Sequence, residues 1–363
     1  MSISVPPHIA DLHAYVPGKP VKEVERELGL TSTVKMASNE NPLGPSPRAL
    51  EAARRCLDDI HIYPEGSGFY LCKALSAHFS VPEEQIILGN GSVEIIEIAA
   101  KALVGPGRNA VISEGAFAMF SIACKAMGAP VKEIPMRDRT HDLEAMEAAI
   151  DGDTRLVFVA NPNNPTGTYV PLRLVERFLE RVPPDVLVIL DEAYKEFVES
   201  PDYGSAQPLM ERFPNLMCLG TFSKLHGLAA LRIGYGFAQP EVISFLHKVR
   251  SPFNTNSLAQ MAAMAALEDR EFAERYIALN RIEREFICRE LQGMGLRITP
   301  TVTNFVLLDV PISGKDFFEK LLREGFIVRP MAGSGFPSSV RVTFHLREYN
   351  ERFLEATKKV LGL

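Results

Sequence analysis

The chain reads as an α/β protein built on a mostly parallel sheet, followed by a smaller α+β unit. Three observations predict this. From residue 86 onward, short β-rich apolar runs alternate with amphipathic helical stretches, the pattern of a sheet buried on both faces. The 363 residues exceed the length at which one hydrophobic core stops growing, so two domains are the default. Beyond about residue 296 the texture changes to longer β-like runs separated by two helical patterns.

Composition narrows the class. A hydrophobic content of 46% with 23% charged residues is that of an ordinary globular protein. The net charge of -6 argues against a nucleic-acid surface while leaving room for a local basic pocket. The five cysteines (Cys56, Cys72, Cys124, Cys218, Cys288) are scattered and odd in number, which suits reduced thiols in the cytoplasm better than a disulfide framework. Residues 1–15 carry neither a basic nor an apolar signal region, and no apolar run reaches the ~18 residues needed to span a bilayer. The eight histidines form no metal-binding pattern, so no metal site is expected.

Taken in order, residues 1–35 form an irregular arm interrupted by Pro6, Pro7, Pro17 and Pro20, with one short helix over Val21–Leu28. Such an arm buries little alone and is expected to lie on the small domain or a partner subunit. The segment Ala37-Ser38-Asn39-Glu40-Asn41-Pro42 is a turn, and Ser46-Pro47 caps a helix ending near Asp59. After the Tyr63-Pro64 loop comes a helix through Phe79. Strands follow at 86–88, 110–113, 131–134, 155–160, 186–190 and 216–220, with helices at 92–104, 117–127 and 171–181 between them. Helical patterns run from Ser257 to about Leu291. The tail places β-like runs at 296–308, 326–328 and 340–344, with helices near 315–324 and 347–361. The resulting division is a large domain over 36–268 and a small one over 269–363.

Ligands of open parallel sheets bind beyond the carboxyl ends of the strands, and every unusual cluster in this chain falls at such an end. After strand 86–88, Gly89-Asn90-Gly91-Ser92-Val93 is a glycine turn opening a helix, whose free amides and dipole favour an anion. After 155–160 come the asparagines of Asn161-Pro162-Asn163-Asn164-Pro165-Thr166-Gly167, of which Asn164 has a side-chain amide to offer a ligand oxygen. After 186–190, Asp191 sits at the rim of the core, where ionisation is costly unless a cation answers it, with Tyr194 three residues on. After 216–220, Thr221-Phe222-Ser223-Lys224 brings an amine and two hydroxyls out of a buried strand, with Arg232 eight residues later. An amine, a carboxylate, a phenol, an amide and an anion cradle are the groups that pyridoxal 5'-phosphate requires.

At this point the chain resembles the fold-type I pyridoxal-phosphate-dependent aminotransferases, and within them the histidinol-phosphate aminotransferase family. The likeness runs from Ala37-Ser38-Asn39-Glu40-Asn41-Pro42 to Asn350-Glu351-Arg352-Phe353-Leu354. It is most specific at residues 161–167, 191–194 and 221–224 with Arg232. The resemblance implies a seven-stranded, mostly parallel sheet between helices in the large domain. It implies that Lys224 binds the cofactor's aldehyde and later moves the proton, that Asp191 pairs with the pyridine nitrogen, and that Tyr194 and Asn164 bond the phenolic oxygen. The Gly91 turn, the amides of Ser92 and Val93, Ser223 and Arg232 would hold the phosphate with Thr221 nearby, and Phe117 would stack on the ring. Tyr63 would reach the cofactor of the other subunit, which implies a homodimer. Arg329, Arg341 and Tyr15 would receive the phosphate or carboxylates of the substrates.

The implied reaction moves an amino group between L-histidinol phosphate and 2-oxoglutarate in histidine biosynthesis. An aromatic amino acid as substrate, or decarboxylation of a phosphorylated amino acid, are the alternatives on the same scaffold. A ligand-sensing regulator would need an added DNA-binding domain, and about 35 residues precede the first motif. Departures from the family pattern are Thr343-Phe344-His345-Leu346 after the second arginine, Gly115-Ala116 before the aromatic, and Ala230 in place of glycine.

Overall fold

The computed structural model describes residues 3–14 and 18–363. Its strands in chain order are β1 (Val34–Lys35), β2 (Ile86–Gly89), β3 (Asn109–Ser113), β4 (Val131–Ile134), β5 (Thr154–Ala160) and β6 (Leu187–Asp191). They continue with β7 (Leu216–Thr221), β8 (Gly234–Phe237), β9 (Phe305–Asp309), β10 (Phe326–Ile327), β11 (Arg329–Met331) and β12 (Phe336–Thr343). Seven of these form one sheet in the order β2-β8-β7-β6-β5-β3-β4. β3 runs parallel to β4 and β5, β5 to β6, and β6 to β7. β8 is antiparallel to both β7 and β2. The expected α/β class and mostly parallel seven-stranded sheet are therefore present.

Alternation along the strands divides the core in two. On one face Val157 and Val159 of β5 and Val188 and Leu190 of β6 pack with helices Pro47–Arg55, Phe69–Phe79, Leu172–Leu179 and Ser257–Glu268. On the other, Leu156 and Phe158, with Leu187 and Ile189, meet helices Ser92–Leu103, Ala118–Ala126 and Pro240–His247. Both faces are apolar because both are covered, which is why these strands read as continuous hydrophobic runs.

A second sheet has the order β11-β12-β9, all antiparallel. Its Val306, Leu308, Val340 and Val342 join Phe317 and Leu321 of helix Gly314–Arg323, Phe353 of helix Arg347–Leu361, and Ile287 of the long helix Arg270–Gly293. β1 pairs with β10, and Val34 and Met36 enter this same core, tying the start of the chain to its end.

Local signals explain most boundaries. Ser46 Oγ accepts from the Ala49 amide at 3.1 Å and starts its helix, which stops at Arg55 before a 3-10 turn at Leu57–Asp59. Asp269 separates the helices on either side of it and caps the second. The strand reading missed β8, whose Gly234 and Gly236 carry no β-propensity, and the helices Leu143–Ala148 and Pro240–His247. Gly234 and Gly236 face tight quarters, since a Cβ would fall 2.4 Å from the Ser92 nitrogen and 2.6 Å from Met217 Cε respectively.

Candidate active site

Sheet direction assembles the site. Two successive antiparallel pairings give β2 the same direction as β7, so β2, β5, β6 and β7 all end on one edge. The residues expected from the four strand ends line one cavity of about 220 Å³ there: Ser92 and Val93, Asn164, Asp191 and Tyr194, and Thr221, Ser223, Lys224 and Arg232. Phe117, Arg329 and Arg341 also line it. Tyr15 lies outside the described residues.

Hydrogen-bond donors gather on part of the cavity wall. Gly91 has a φ of +78°, and helix Ser92–Leu103 begins at the next residue. Arg232, itself at φ +57°, is held against this turn by Nη1 donating to the Ala229 carbonyl at 3.1 Å and Nη2 to that of Asn90 at 3.4 Å. The positive φ at position 91 favours glycine, and a Cβ there would come within 2.2 Å of Arg232 Nη2 and displace that guanidinium. Thr221 Oγ1 accepts from the Ser223 amide and donates to Ser223 Oγ, each at 3.1 Å, which draws the two hydroxyls together.

The middle holds an acid and a base in unusual protonation ranges. Asp191, the last residue of β6, is 6% exposed; its Oδ1 accepts from the Ala193 amide at 3.0 Å. Burial pushes it up to about 6, against that hydrogen bond and the nearby Lys224 charge. Among the described residues no ion pair reaches it. Lys224 follows β7; burial first, and then the Arg341 charge, bring its amine down to about 7. Its Nζ donates to the Ser38 carbonyl at 3.0 Å and stands 5.8 Å from the centre of the Tyr194 ring. Tyr194 is buried, edge-on to Phe305 at 5.1 Å.

The far end is set by the second sheet. Arg329 and Arg341 are direct partners in the β11–β12 register. Like charges placed opposite one another on a sheet repel, and an anion between them relieves that cost. Arg341 Nη1 donates to Asn164 Oδ1, and Nη2 to the Ala37 carbonyl at 2.6 Å. With its oxygen committed to Arg341, the Asn164 amide turns its NH₂ elsewhere. Phe117 sits just before helix Ala118–Ala126, edge-on to Phe120 at 5.7 Å.

Tyr63 is the expected site residue that stands apart. It is 78% exposed, stacked on Phe253 at 4.7 Å, and is not part of the cavity wall. Conversely, Gly18, Ala37, Ser38, Asn39 and Pro162 line the cavity without having been assigned a role from the sequence. The Ala37–Pro42 motif marked that segment as unusual, but no residue type in it announces a contact with Lys224 or Tyr194.

Comparison with known proteins identifies the family. The family described as aminotransferase class I and II matches residues 31–356. A histidinol-phosphate aminotransferase of Anaeromyxobacter sp. (strain Fw109-5) is 47% identical over 360 residues, covering 99% of both chains. Histidinol-phosphate aminotransferase 2 of Pseudomonas fluorescens (strain Pf0-1) is 49% identical over 358 residues, 98% of this chain and 97% of its own. The crystal structure of histidinol-phosphate aminotransferase from Sinorhizobium meliloti in complex with pyridoxal-5'-phosphate superposes with a TM-score of 0.90 at 27% identity, covering 98% of this chain and 97% of that one. With a family match across most of its length and full-length relatives near half identity, the chain belongs to the class I and II aminotransferases.

Proposed function

We propose that the chain is a pyridoxal-phosphate-dependent histidinol-phosphate aminotransferase, exchanging the amino group between L-histidinol phosphate and 2-oxoglutarate in histidine biosynthesis. The observation that carries this reading is the cavity that places Lys224 and Asp191, at the ends of adjacent strands, between an anion cradle and a pair of arginines.

The residues present fit the cofactor. A buried carboxylate at the cavity wall, raised mainly by burial, fits a pyridine nitrogen, which needs a proton held on it. The Gly91 turn, the start of helix Ser92–Leu103, Ser223 and Arg232 form a cradle of donors suited to a phosphate, with Thr221 bracing Ser223. Lys224 is the amine that would hold the aldehyde, and Tyr194 and Asn164 line the same cavity. When bound, pyridoxal phosphate supplies the electron sink that makes the substrate's Cα–H acidic. Asp191 would keep the ring nitrogen protonated. Lys224, brought to about 7, is available as a neutral base near neutral pH, taking a proton at Nζ and returning it. Arg329 and Arg341 would bind the phosphate of one substrate and the carboxylate of the other, because a planar guanidinium pairs with either. Phe117 would cover one face of the ring.

Part of this reading concerns the assembly. The proposed division is an arm to residue 35, a cofactor-binding domain over 36–268 and a small domain over 269–363, with residues 34–39 crossing from the arm to pack and hydrogen-bond against the small domain. Between residues 57 and 70 the apolar side chains of Leu57 (51%), Ile60 (67%), Ile62 (59%), Phe69 (49%) and Tyr70 (63%) are exposed along with Tyr63 (78%). We infer that a second copy covers these residues and receives Tyr63 beside its own cofactor, giving a homodimer with shared sites. The free state of all five cysteines suits a cytoplasmic location, and among the described residues no helix is long and apolar enough to cross a membrane.

The test is reconstitution with pyridoxal phosphate followed by addition of L-histidinol phosphate. The expected result is a yellow protein whose visible band bleaches on adding L-histidinol phosphate and returns with 2-oxoglutarate. A protein that stays colourless overturns the reading. Faster turnover of phenylalanine would move the substrate to the aromatic amino acids, and release of carbon dioxide without a keto-acid acceptor would make it a decarboxylase.

A further inference from the structure

The segment Ala37-Ser38-Asn39, which follows β1, touches three functional side chains in succession. The Ala37 carbonyl accepts from Arg341 at 2.6 Å and the Ser38 carbonyl from Lys224 at 3.0 Å. Asn39 Nδ2 donates to the Tyr194 hydroxyl at 2.8 Å. Asn39 is 1% exposed and sits at φ +56°, a left-handed conformation that asparagine tolerates better than most residues.

Its amide orientation is determined by chemistry. Thr343 Oγ1 accepts from the Asn39 backbone N–H at 2.9 Å, so its single proton is available for Asn39 Oδ1 at 3.1 Å. That leaves Nδ2 to face Tyr194. The Asn39 carbonyl accepts from Asn304 Nδ2 at 3.1 Å, which clamps the residue from a second side. Thr343 and Asn304 belong to the second sheet and its approach, and Met36 is hydrogen-bonded to Ile327 and Thr343 in the same body. Asn39 is therefore hydrogen-bonded to the C-terminal part of the chain while its side-chain amide engages Tyr194, three residues beyond the end of β6.

We propose that Asn39 is a positioning residue for Tyr194: by donating to the phenol oxygen it orients the hydroxyl so that Tyr194 donates its own proton toward the ligand. The inference rests on the cofactor reading above. A hydroxyl that accepts one hydrogen bond is a stronger donor of the next, so Asn39 both aims and strengthens the Tyr194 bond. The charged side chains sharing the cavity are Lys224, Asp191, Arg232, Arg329 and Arg341, and none is removed by changing Asn39.

The experiment is a double-mutant cycle between Asn39→Gly and Tyr194→Phe in the reconstituted enzyme, reading the pH midpoint of the cofactor's visible band as well as kcat. Glycine keeps the left-handed backbone and deletes the amide. Asn39→Gly should shift the midpoint in the direction that Tyr194→Phe does, and lower kcat about tenfold, the scale of one hydrogen bond. In the Tyr194→Phe background it should change neither further. Full additivity, or a fall in kcat with the midpoint unmoved, overturns the proposal. Should Asn39→Gly fail to fold, Thr343→Val, which unpins the amide, carries the same cycle and the same two outcomes. Wild-type protein that takes up no cofactor sinks the underlying reading and this proposal with it, whereas a coloured wild type with an additive cycle sinks only this proposal.

Discussion

At the scale of single residues, the site is a set of groups held in protonation ranges that folding alone disfavours. Asp191, raised to about 6, binds more protons folded than unfolded between roughly pH 4 and 6. Stability of the cofactor-free protein therefore falls as pH rises through that window, and the cost persists above it. Asp191→Asn removes the cost. The cofactor-free variant should be more stable than wild type at pH 8 by up to about 3 kcal/mol, at about 1.4 kcal/mol per pH unit of displacement, with the advantage gone by about pH 4. Denaturant melts at the two pH values measure this, and the same variant should lose most of its kcat. Lys224 has the opposite sign: lowered to about 7, its amine costs stability below that pH and the cost fades as pH rises toward 10.5. Lys224→Ala should bind pyridoxal phosphate without retaining it through borohydride treatment and denaturation, which mass spectrometry reads directly. Retention of the adduct at another lysine would displace Lys224 from its assigned role.

At the scale of elements, the anion cradle depends on a close approach between β8 and the start of helix Ser92–Leu103. A Cβ at Gly234 would lie 2.4 Å from the Ser92 nitrogen, 2.7 Å from the Gly91 carbonyl carbon and 3.1 Å from the Gly220 oxygen. These are backbone atoms and cannot turn aside, so Gly234→Ala must push the helix start away from Arg232. Affinity for pyridoxal phosphate should drop at least about tenfold, with about 1–3 kcal/mol lost in stability from overpacking. Equilibrium dialysis and melting curves test the two halves, and unchanged affinity would show that the helix start does not carry the phosphate. The same glycines hid β8 from a reading of the sequence. A strand is recognised by branched and aromatic side chains, and Gly234-Tyr235-Gly236-Phe237 spends half its positions on avoiding contact.

For the whole molecule, the exposed apolar residues between Leu57 and Tyr70 are where the proposed second copy would sit. Placing charges there, as Leu57→Asp with Ile60→Asp, should convert the proposed dimer to monomer in sedimentation and weaken cofactor retention, since Tyr63 would no longer reach a partner's site. Wild-type protein that sediments as a monomer at micromolar concentration would refute the shared site. The loop after β4 is also fastened to the second sheet: Arg139 Nη2 spans both carboxylate oxygens of Asp309 at 3.0 and 2.8 Å, and Nη1 donates to Thr299 Oγ1 at 2.7 Å.

Local chemistry was enough to mark Lys224, Asp191, Tyr194, Asn164 and the Gly91 turn, because each is a polar or conformationally special residue within four positions of the end of an apolar run. That pattern depends only on neighbours in sequence, as do the alternating runs that signal a sheet buried on both faces. Folding alone decided that those strand ends share one edge, since β2 reaches it through two antiparallel pairings with β8. It also decided that Asn39 meets Tyr194 across 155 positions of chain and that Arg341 meets Asn164 across 177. No periodicity records a contact between residues so far apart; it exists only once burial of the two cores has brought the segments together.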